Sequence, residues 1–378
     1  MAKPGEQEVL HQTGLDPDSS GRFRSGRQAT LPARIGRYEI IERIGAGGMA
    51  EAFRAKARGP AGYERELIIK SILPELAEDA EFIRLFVAEA KILGLIKHPN
   101  VVQVYDFGEE GGRHFLALEY LDGPSVADMI AVLAHSGQNM PLGLAVYIAR
   151  EICLGLAAAH GLCGPDDRPL NVVHRDVTPS NVMTTTVGEV KLVDFGIVRV
   201  GPATTATLGG RVRGKPAYLS PEQLAGNEID GRTDLFTAGI VLHEMLTLKP
   251  LFLAENELAT IYRIMMHQIV PPSVPRSDVP PELDRIVLRA LEREPEQRYQ
   301  TADEMAADLT ELVNQLGVHR EDLAEFARQI KQLSGELRPS ARLRIASSVP
   351  PNVVRLLDET PVSPFDPNPD PDDTPDTQ

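Results

Sequence analysis

The hydrophobic pattern of the chain changes near residue 125, and this change constrains the fold more than any other feature. Before it, short strand-like apolar runs lie at residues 38–44, 67–70, 101–107 and 114–120, with one strong helical pattern among them. After it, long helical patterns dominate. Because each sheet face and helix stripe must be buried against another element, this order predicts an α+β fold with a small β-rich N-lobe containing one key helix, and a larger helical C-lobe. Residues 119–123, which we call the hinge, would connect the two lobes.

The two ends of the chain differ in composition from its middle. Residues 1–36 combine Gly, Ser, Pro and mixed charges without periodicity and are predicted to be a flexible leader. Residues 337–378 are rich in proline and acidic side chains and are predicted to be a disordered tail. Between them we expect a two-lobed domain over residues 37–312, with the N-lobe at about 37–121 and the C-lobe at about 122–312, then a helical extension over 313–336.

The charge and the cysteines exclude several kinds of protein. The chain has 54 Asp or Glu and 39 Lys or Arg side chains, a net charge of −15, so no nucleic-acid partner is expected. Cys153 and Cys163 cannot form a disulfide framework or a zinc site, and are expected to be reduced thiols of a cytoplasmic protein. The longest apolar stretch, residues 142–162, contains Arg150 and Glu151, and on that ground no membrane span is predicted.

A glycine-rich turn follows the first strand-like run. It comprises Ile44, Gly45, Ala46, Gly47, Gly48, Met49, Ala50, Glu51 and Ala52. The missing side chains let backbone N–H groups approach phosphates closely. A strand pattern follows the turn, where a P-loop NTPase would have a helix opened by Gly-Lys-Ser/Thr. By itself the turn fits a structural hairpin equally well.

A lysine and a glutamate form a second candidate site. Lys70 ends an apolar strand-like run, a place where a solvent-facing lysine is the ordinary interpretation. In the helical pattern that follows, Glu89 lies in the middle of the apolar face that contains Phe86 and Leu93. Because a buried carboxylate needs a partner, Lys70 is predicted to pair with Glu89.

Three further oxygen-bearing side chains follow short apolar runs. Asp176 and Asn181 lie five residues apart in a proline-containing loop, and Asp194 follows the strand-like run 190–193. Such a loop could hold a carboxylate base beside an amide metal ligand. Each segment alone also fits a turn capped by an Asp.

Six motifs occur in one order along the chain. They are the glycine-rich turn, the strand Lys70, the helix Glu89, the His-Arg-Asp loop with Asn181, Asp194-Phe-Gly, and Ser220-Pro-Glu. Together they make up the protein-kinase signature set. The chain therefore resembles the eukaryotic-like serine/threonine protein kinases of bacteria over residues 38–312.

The resemblance implies a bilobal protein-kinase fold that binds ATP with Mg²⁺, or with Mn²⁺. The glycine-rich turn would cover the phosphates, Lys70 would contact them while paired with Glu89, and Asp176 would accept or orient the substrate hydroxyl. Asn181 and Asp194 would be the metal ligands. The adenine contacts implied are Ile68, Met183, the gatekeeper Leu118, and the backbone of Glu119 and Leu121. Asp234 would head a buried central helix over residues 235–246, and Glu222 would form an ion pair with Arg298.

The chain departs from the family pattern at several positions. Ala50 and Ala52 replace a glycine and a valine of the glycine-rich turn. Thr178 stands where these kinases usually have a lysine, and Lys215 follows Gly214 where they have a threonine. We hypothesise that Lys215 supplies the charge missing at Thr178. Arg175 suggests coupling to a phosphorylated loop, with candidate phosphosites at Thr204, Thr205 and Thr207.

The activity expected from the resemblance is phosphoryl transfer from ATP to serine or threonine of protein substrates, with autophosphorylation. A regulatory partner acting through the tails, or transient dimerisation, is also expected. A pseudokinase scaffold, which binds partners without turnover, is one alternative. A small-molecule phosphotransferase of related fold is another.

Overall fold

The N-lobe is built on one antiparallel sheet. The computed structural model describes residues 31–46, 50–196 and 216–336. Within them the sheet order is β1-β2-β3-β4-β6-β5. The strands are β1 (Arg34–Ile35), β2 (Tyr38–Ala46), β3 (Ala50–Arg58), β4 (Glu64–Ile72), β5 (Val104–Glu110) and β6 (Arg113–Glu119). Shifts of register in β2, at 40/42 and 43/45, bend the sheet where the glycine-rich turn begins.

The predicted leader ends earlier than expected. Arg34 and Ile35 pair with Glu39 and Tyr38 as β1, and Ile35 is only 7% exposed. A strand of two residues is too short to show a periodicity in the sequence, and β1 is held by burial against the first hairpin. The boundary at residue 36 is therefore wrong by a few residues, because 34–36 belong to the N-lobe.

The single N-lobe helix, α1 (Ala80–Leu95), packs on one face of the sheet. Its buried residues Phe86 and Ala90 meet Leu116 and Leu118 of β6. Asp79 caps the helix by accepting hydrogen bonds from the amides of Glu81 (2.9 Å) and Phe82 (3.3 Å). This packing fixes the distance between α1 and the strands that carry the candidate site.

The C-lobe is helical, as predicted. Its described helices are α2 (Val126–Ser136), α3 (Leu142–His160), α4 (Pro221–Ala225), α5 (Gly231–Thr247), α6 (Glu257–Met266), α7 (Pro281–Ala290), α8 (Ala302–Leu316) and α9 (Arg320–Glu336). A two-stranded hairpin, β7 (Val182–Thr184) with β8 (Val190–Leu192), lies beside the hinge. Helix α5 is buried at every residue from Thr233 to Leu246, which confirms the predicted central helix. It begins at Gly231 with Asp230 as its cap, so Asp234 lies in its first turn and does not head it.

Helix α3 corrects the argument against a membrane span. By length and composition alone this helix could cross a bilayer despite Arg150 and Glu151. In the structure it packs between α5 and α8, and residues such as Ile148, Ile152 and Leu156 are fully buried. Its apolar character is that of a core helix of the C-lobe.

The expected boundary at residues 312/313 falls inside a helix. Helix α8 continues to Leu316 and ends at Gly317, which has a φ of 61°. Helix α9 then begins at Arg320, so the structural break between the two helices lies at residues 317–319.

Candidate active site

Lys70 lies between two carboxylates at the cleft between the lobes. Its Nζ is 2.8 Å from Glu89 Oε1 on α1 and 3.0 Å from Asp194 Oδ1. The pair predicted from the buried position of Glu89, which is 2% exposed, is thereby confirmed. Burial by itself would lower the pKa of Lys70, but the charges of Asp194 and Glu89 outweigh it and raise that pKa. The ammonium group therefore stays charged at neutral pH.

The loop after α3 brings Asp176 and Asn181 together. Asn181 Nδ2 donates to the backbone oxygen of Asp176 (2.9 Å) and to its Oδ2 (2.9 Å). These bonds orient the Asn181 amide and leave its Oδ1 as the acceptor atom. The backbone amide of Val193 donates to the Asn181 carbonyl oxygen (3.0 Å), which ties the loop to the segment that leads into Asp194.

The side chain that holds this loop is Asp234, which the sequence placed only at the head of the central helix and not in contact with the loop. Asp234 of α5, fully buried, accepts hydrogen bonds from the amides of His174 (2.7 Å) and Arg175 (2.8 Å). His160 at the end of α3 lies 2.8 Å from the same carboxylate. Burial alone would raise the pKa of Asp234, but the His160 contact and the other bonds lower it below its usual range. No local pattern pairs residues 60 positions apart, although an Asp inside an otherwise apolar helix is a signal that it has a partner.

Aromatic packing fixes the segment that carries Asp194. The Phe195 ring lies with its centroid 4.2 Å from that of His174, and both side chains are buried. The Gly196 amide donates to the His174 carbonyl oxygen (2.7 Å). Asp194 itself has a φ of 57°, and its side chain is 52% exposed. Its carboxylate is therefore accessible from the cleft, and the Lys70 charge lowers its pKa.

The residues expected around an adenine ring lie along the same cleft. Ile68 of β4 pairs in register with Leu118 of β6, and Met183 is in β7. Ile68 and Met183 are partly exposed, whereas Leu118 is 8% exposed. The Glu119 amide already donates to the Gln103 carbonyl oxygen (3.0 Å), so this amide is not free to contact a base edge.

Several predicted positions lie outside the described residues. These are Gly47, Gly48, Met49, Thr204, Thr205, Thr207 and Lys215. Of the glycine-rich turn, the structure describes the strands on either side, with Gly45 opposite Ala52 and Ala46 opposite Glu51. Thr178 is described: it is 1% exposed, and its Oγ1 has no hydrogen-bond partner among the described residues. That Lys215 supplies the positive charge missing at Thr178 stays a prediction.

The oxygen donors present fit a metal ion carried by a nucleotide. The described residues contain no group of three or more His, Cys, Asp or Glu side chains that could hold a metal by themselves. Mg²⁺ in such sites is bound by one or two carboxylates together with substrate phosphates. The Asn181 amide oxygen and the accessible Asp194 carboxylate match that requirement.

The ion pair expected in the C-lobe is present. Arg298 donates from Nη2 to Glu222 Oε2 (2.7 Å) and from Nη1 to Oε1 (2.8 Å), and both residues are buried. Glu222 lies in α4, directly after the Ser220 cap. This bidentate pair joins α4 to the loop before α8.

Comparison with known proteins agrees with this geometry. Residues 38–310 match the family described as protein kinase domain. The chain is 37% identical over 271 residues to the tyrosine-protein kinase MasK of Myxococcus xanthus, covering 72% of this chain and 42% of that protein. It is 35% identical over 285 residues to the serine/threonine-protein kinase PknB of Mycobacterium leprae, covering 74% and 43%.

A solved structure gives the same result. The crystal structure of the PknI kinase domain of Mycobacterium tuberculosis matches with a TM-score of 0.56 and 25% identity, over 74% of this chain and 98% of that one. The chain thus spans less than half the length of these two curated relatives, but 98% of the solved kinase domain. It belongs to the protein kinase family.

Proposed function

We propose that the chain is an ATP-dependent protein kinase that transfers a phosphoryl group to serine or threonine. The observation that carries this proposal is the convergence of five polar side chains from distant parts of the sequence. Lys70 contacts both Glu89 and Asp194, and Asn181 contacts Asp176. A pseudokinase has no need to keep all five.

Each side chain has a role that its geometry supports. Lys70, held by Glu89, would donate hydrogen bonds to phosphate oxygens. Asn181 Oδ1 and the Asp194 carboxylate would hold Mg²⁺, or Mn²⁺. Asp176, fixed by the Asn181 amide, would orient the substrate hydroxyl and accept its proton. When bound there, the nucleotide would supply the phosphoryl group and its metal ion would neutralise charge on it.

The choice between serine/threonine and tyrosine as phosphate acceptors is based on the sequence of the loop and on the names of the relatives. Residues 178–181 lack the tyrosine-kinase form of the catalytic loop, and PknB-type relatives carry serine/threonine in their names. MasK, in contrast, is named a tyrosine-protein kinase. We therefore propose serine and threonine as acceptors, including acceptors on the chain itself, and keep tyrosine as the second candidate.

Radiolabelled ATP tests both the activity and the acceptor. The purified chain is expected to label itself or a general protein substrate, and acid hydrolysis is expected to release phosphoserine or phosphothreonine. Asp176→Asn should lower kcat by about 10²- to 10⁴-fold while nucleotide binding is retained. If neither form labels protein while both bind nucleotide, the chain is a pseudokinase. Equal labelling by wild type and Asp176→Asn would show that the observed transfer does not depend on Asp176 and would overturn the proposed role of this site. Label on tyrosine alone would replace the serine/threonine assignment.

A further inference from the structure

Helix α9 lies beyond the family domain but is docked onto the C-lobe. The family match ends at residue 310, and α9 covers Arg320–Glu336. Its residues Leu323, Ala327 and Ile330 are at most 1% exposed and belong to the C-lobe core. The helix packs against α2, which follows the hinge directly. This apolar face keeps α9 in place next to the nucleotide cleft.

The cationic side chains of α9 reach the β7–β8 turn. Arg320 Nε donates to the Val187 carbonyl oxygen (2.8 Å), and Arg328 Nη1 donates to the Thr186 carbonyl oxygen (2.8 Å). The contact is close enough that a Cβ on Gly188, whose φ is +82°, would collide with the Arg320 carbonyl oxygen. The turn is therefore shaped to receive α9.

One further cation of α9 binds the hinge itself. Lys331 forms an ion pair with Asp122, and this bond lowers the pKa of the Asp122 carboxyl. Thr186 joins the same junction, because its amide donates to the Asp122 carbonyl oxygen (2.8 Å) and its Oγ1 donates to Asp122 Oδ2 (3.2 Å). Asp122, Thr186, Arg328 and Lys331 thus form one connected polar cluster, which we call the hinge clasp.

The hinge clasp joins the two chain segments that carry proposed adenine contacts. Leu121 precedes Asp122 in the hinge, and Met183 lies in β7, three residues before Thr186. Gly123, the last residue of the hinge, lies so close to β7 that a Cβ at this position would collide with the Thr184 carbonyl oxygen. A movement of the hinge relative to β7 would therefore change the relative position of the two proposed adenine contacts, Leu121 and Met183.

We propose that α9 is a positioning element of the nucleotide site, in which Arg328 and Lys331 hold the hinge against the β7–β8 hairpin and so set nucleotide affinity. This inference rests on the proposed kinase function, since it assigns a regulator of the same site. It goes beyond the family domain, because the residues that act lie after residue 310. Arg328 and Lys331 act through the hinge and do not touch the reacting atoms.

A pair of charge-matched double variants separates this role from general electrostatics. Arg328→Gln with Lys331→Gln removes both clasp cations, whereas Gln329→Glu with Gln332→Glu makes the same change of net charge on neighbouring exposed residues. Binding of a non-hydrolysable ATP analogue with Mg²⁺ is measured by calorimetry, together with KM for ATP and kcat. Because Lys331 and Asp122 are each about half exposed, the single contacts are weak and the double variant is needed.

We expect the clasp variant to bind the analogue about tenfold more weakly, with KM raised and kcat within about twofold, and the control to stay within about twofold of wild type. Hydrogen exchange without nucleotide should be faster at the Thr184 and Thr186 amides in the clasp variant only, since these donate to Pro124 and Asp122. Unchanged affinity and exchange in the clasp variant, or equal changes in the control, would overturn the proposal. If wild type binds no nucleotide, the kinase function fails, while the exchange data still decide whether α9 holds the hinge.

Discussion

At the scale of single residues, the surroundings of a side chain decide its chemistry. Lys70 and Lys331 are both lysines in ion pairs, but the side chain of Lys70 is 18% exposed and that of Lys331 is 49% exposed. A weakly solvated ammonium between two carboxylates is held in one position and one charge state. The ion pair of a half-exposed ammonium group, such as that of Lys331, contributes little stability by itself and acts only together with neighbouring contacts.

The two cysteines should differ sharply in reactivity. Burial raises the pKa of the Cys153 thiol to about 12, whereas Cys163 is exposed. Since the thiolate is the reactive species, an aromatic disulfide reagent at pH 8 should label one thiol per chain in the native protein and two in denaturant. Rapid labelling of both thiols in the native protein would contradict the burial of Cys153. A Cys163→Ser variant gives the control, with no rapid labelling.

Lys215 gives a second residue-scale prediction. If it supplies the charge that the family lysine would provide at Thr178, Lys215→Met should lower kcat by on the order of 10²-fold, as does loss of one electrostatic stabiliser. Arg168→Met, at a side chain that is 85% exposed, is the control and should leave kcat unchanged. If the kcat of Lys215→Met equals that of wild type, Lys215 does not supply the charge missing at Thr178.

At the scale of elements, helix α1 positions Glu89 and depends on its N-terminal cap. Asp79→Ala removes the acceptor for the amides of Glu81 and Phe82. The variant should lose about 1 kcal/mol of unfolding free energy, measured by urea denaturation. Glu78→Ala changes the charge equally at an exposed neighbour that is not the cap, and should lose much less. Equal losses in the two variants would show that the cap does not stabilise α1.

The ion pair between Glu222 and Arg298 joins two elements of the C-lobe. Arg298→Met leaves a buried carboxylate unpaired and removes bonds to the backbone oxygens of Glu292 and Arg293. We expect a loss of about 3 to 5 kcal/mol in unfolding free energy. The exposed pair of Arg168 with Asp166 is the comparison, where Arg168→Met should cost less than about 1 kcal/mol. Similar losses at both sites would contradict the buried character of the first pair.

At the scale of the whole molecule, acid should unfold the protein through a few carboxylates. The Lys70 charge lowers the pKa of Asp194. The pKa values of Glu222 and Asp234 are also lowered, because their contacts with Arg298 and His160 outweigh burial, which by itself would raise them. A lowered folded-state pKa contributes stability above the ordinary values of 3.8 for Asp and 4.5 for Glu, and this stability is lost as pH falls through the folded-state pKa.

The urea midpoint measures this pH dependence. It should be nearly constant from pH 6 to 8 and fall steadily below about pH 4.5. Asp234→Asn, which has no carboxyl at this position, should show a flatter dependence. A midpoint that rises on acidification below pH 4.5 would reverse the sign of the argument.

The sequence by itself determined the family, the two-lobed architecture and the Lys70–Glu89 pair. These follow from hydrophobic periodicity, which is local, and from motifs whose residues lie close together or in fixed order. Glu89 in the middle of an apolar helix face is the clearest case. A buried carboxylate requires a partner, and the strand-like run before the helix ends in the cation Lys70.

Only the tertiary structure decided which distant residues support the site. Asp234 holds the catalytic loop from 60 residues away, and Lys331 binds the hinge from 209 residues away. By length and composition helix α3 could cross a membrane, whereas in the structure it packs against α5 and α8. Contacts between elements depend on how the packed helices meet in space, and no periodicity along the chain records that.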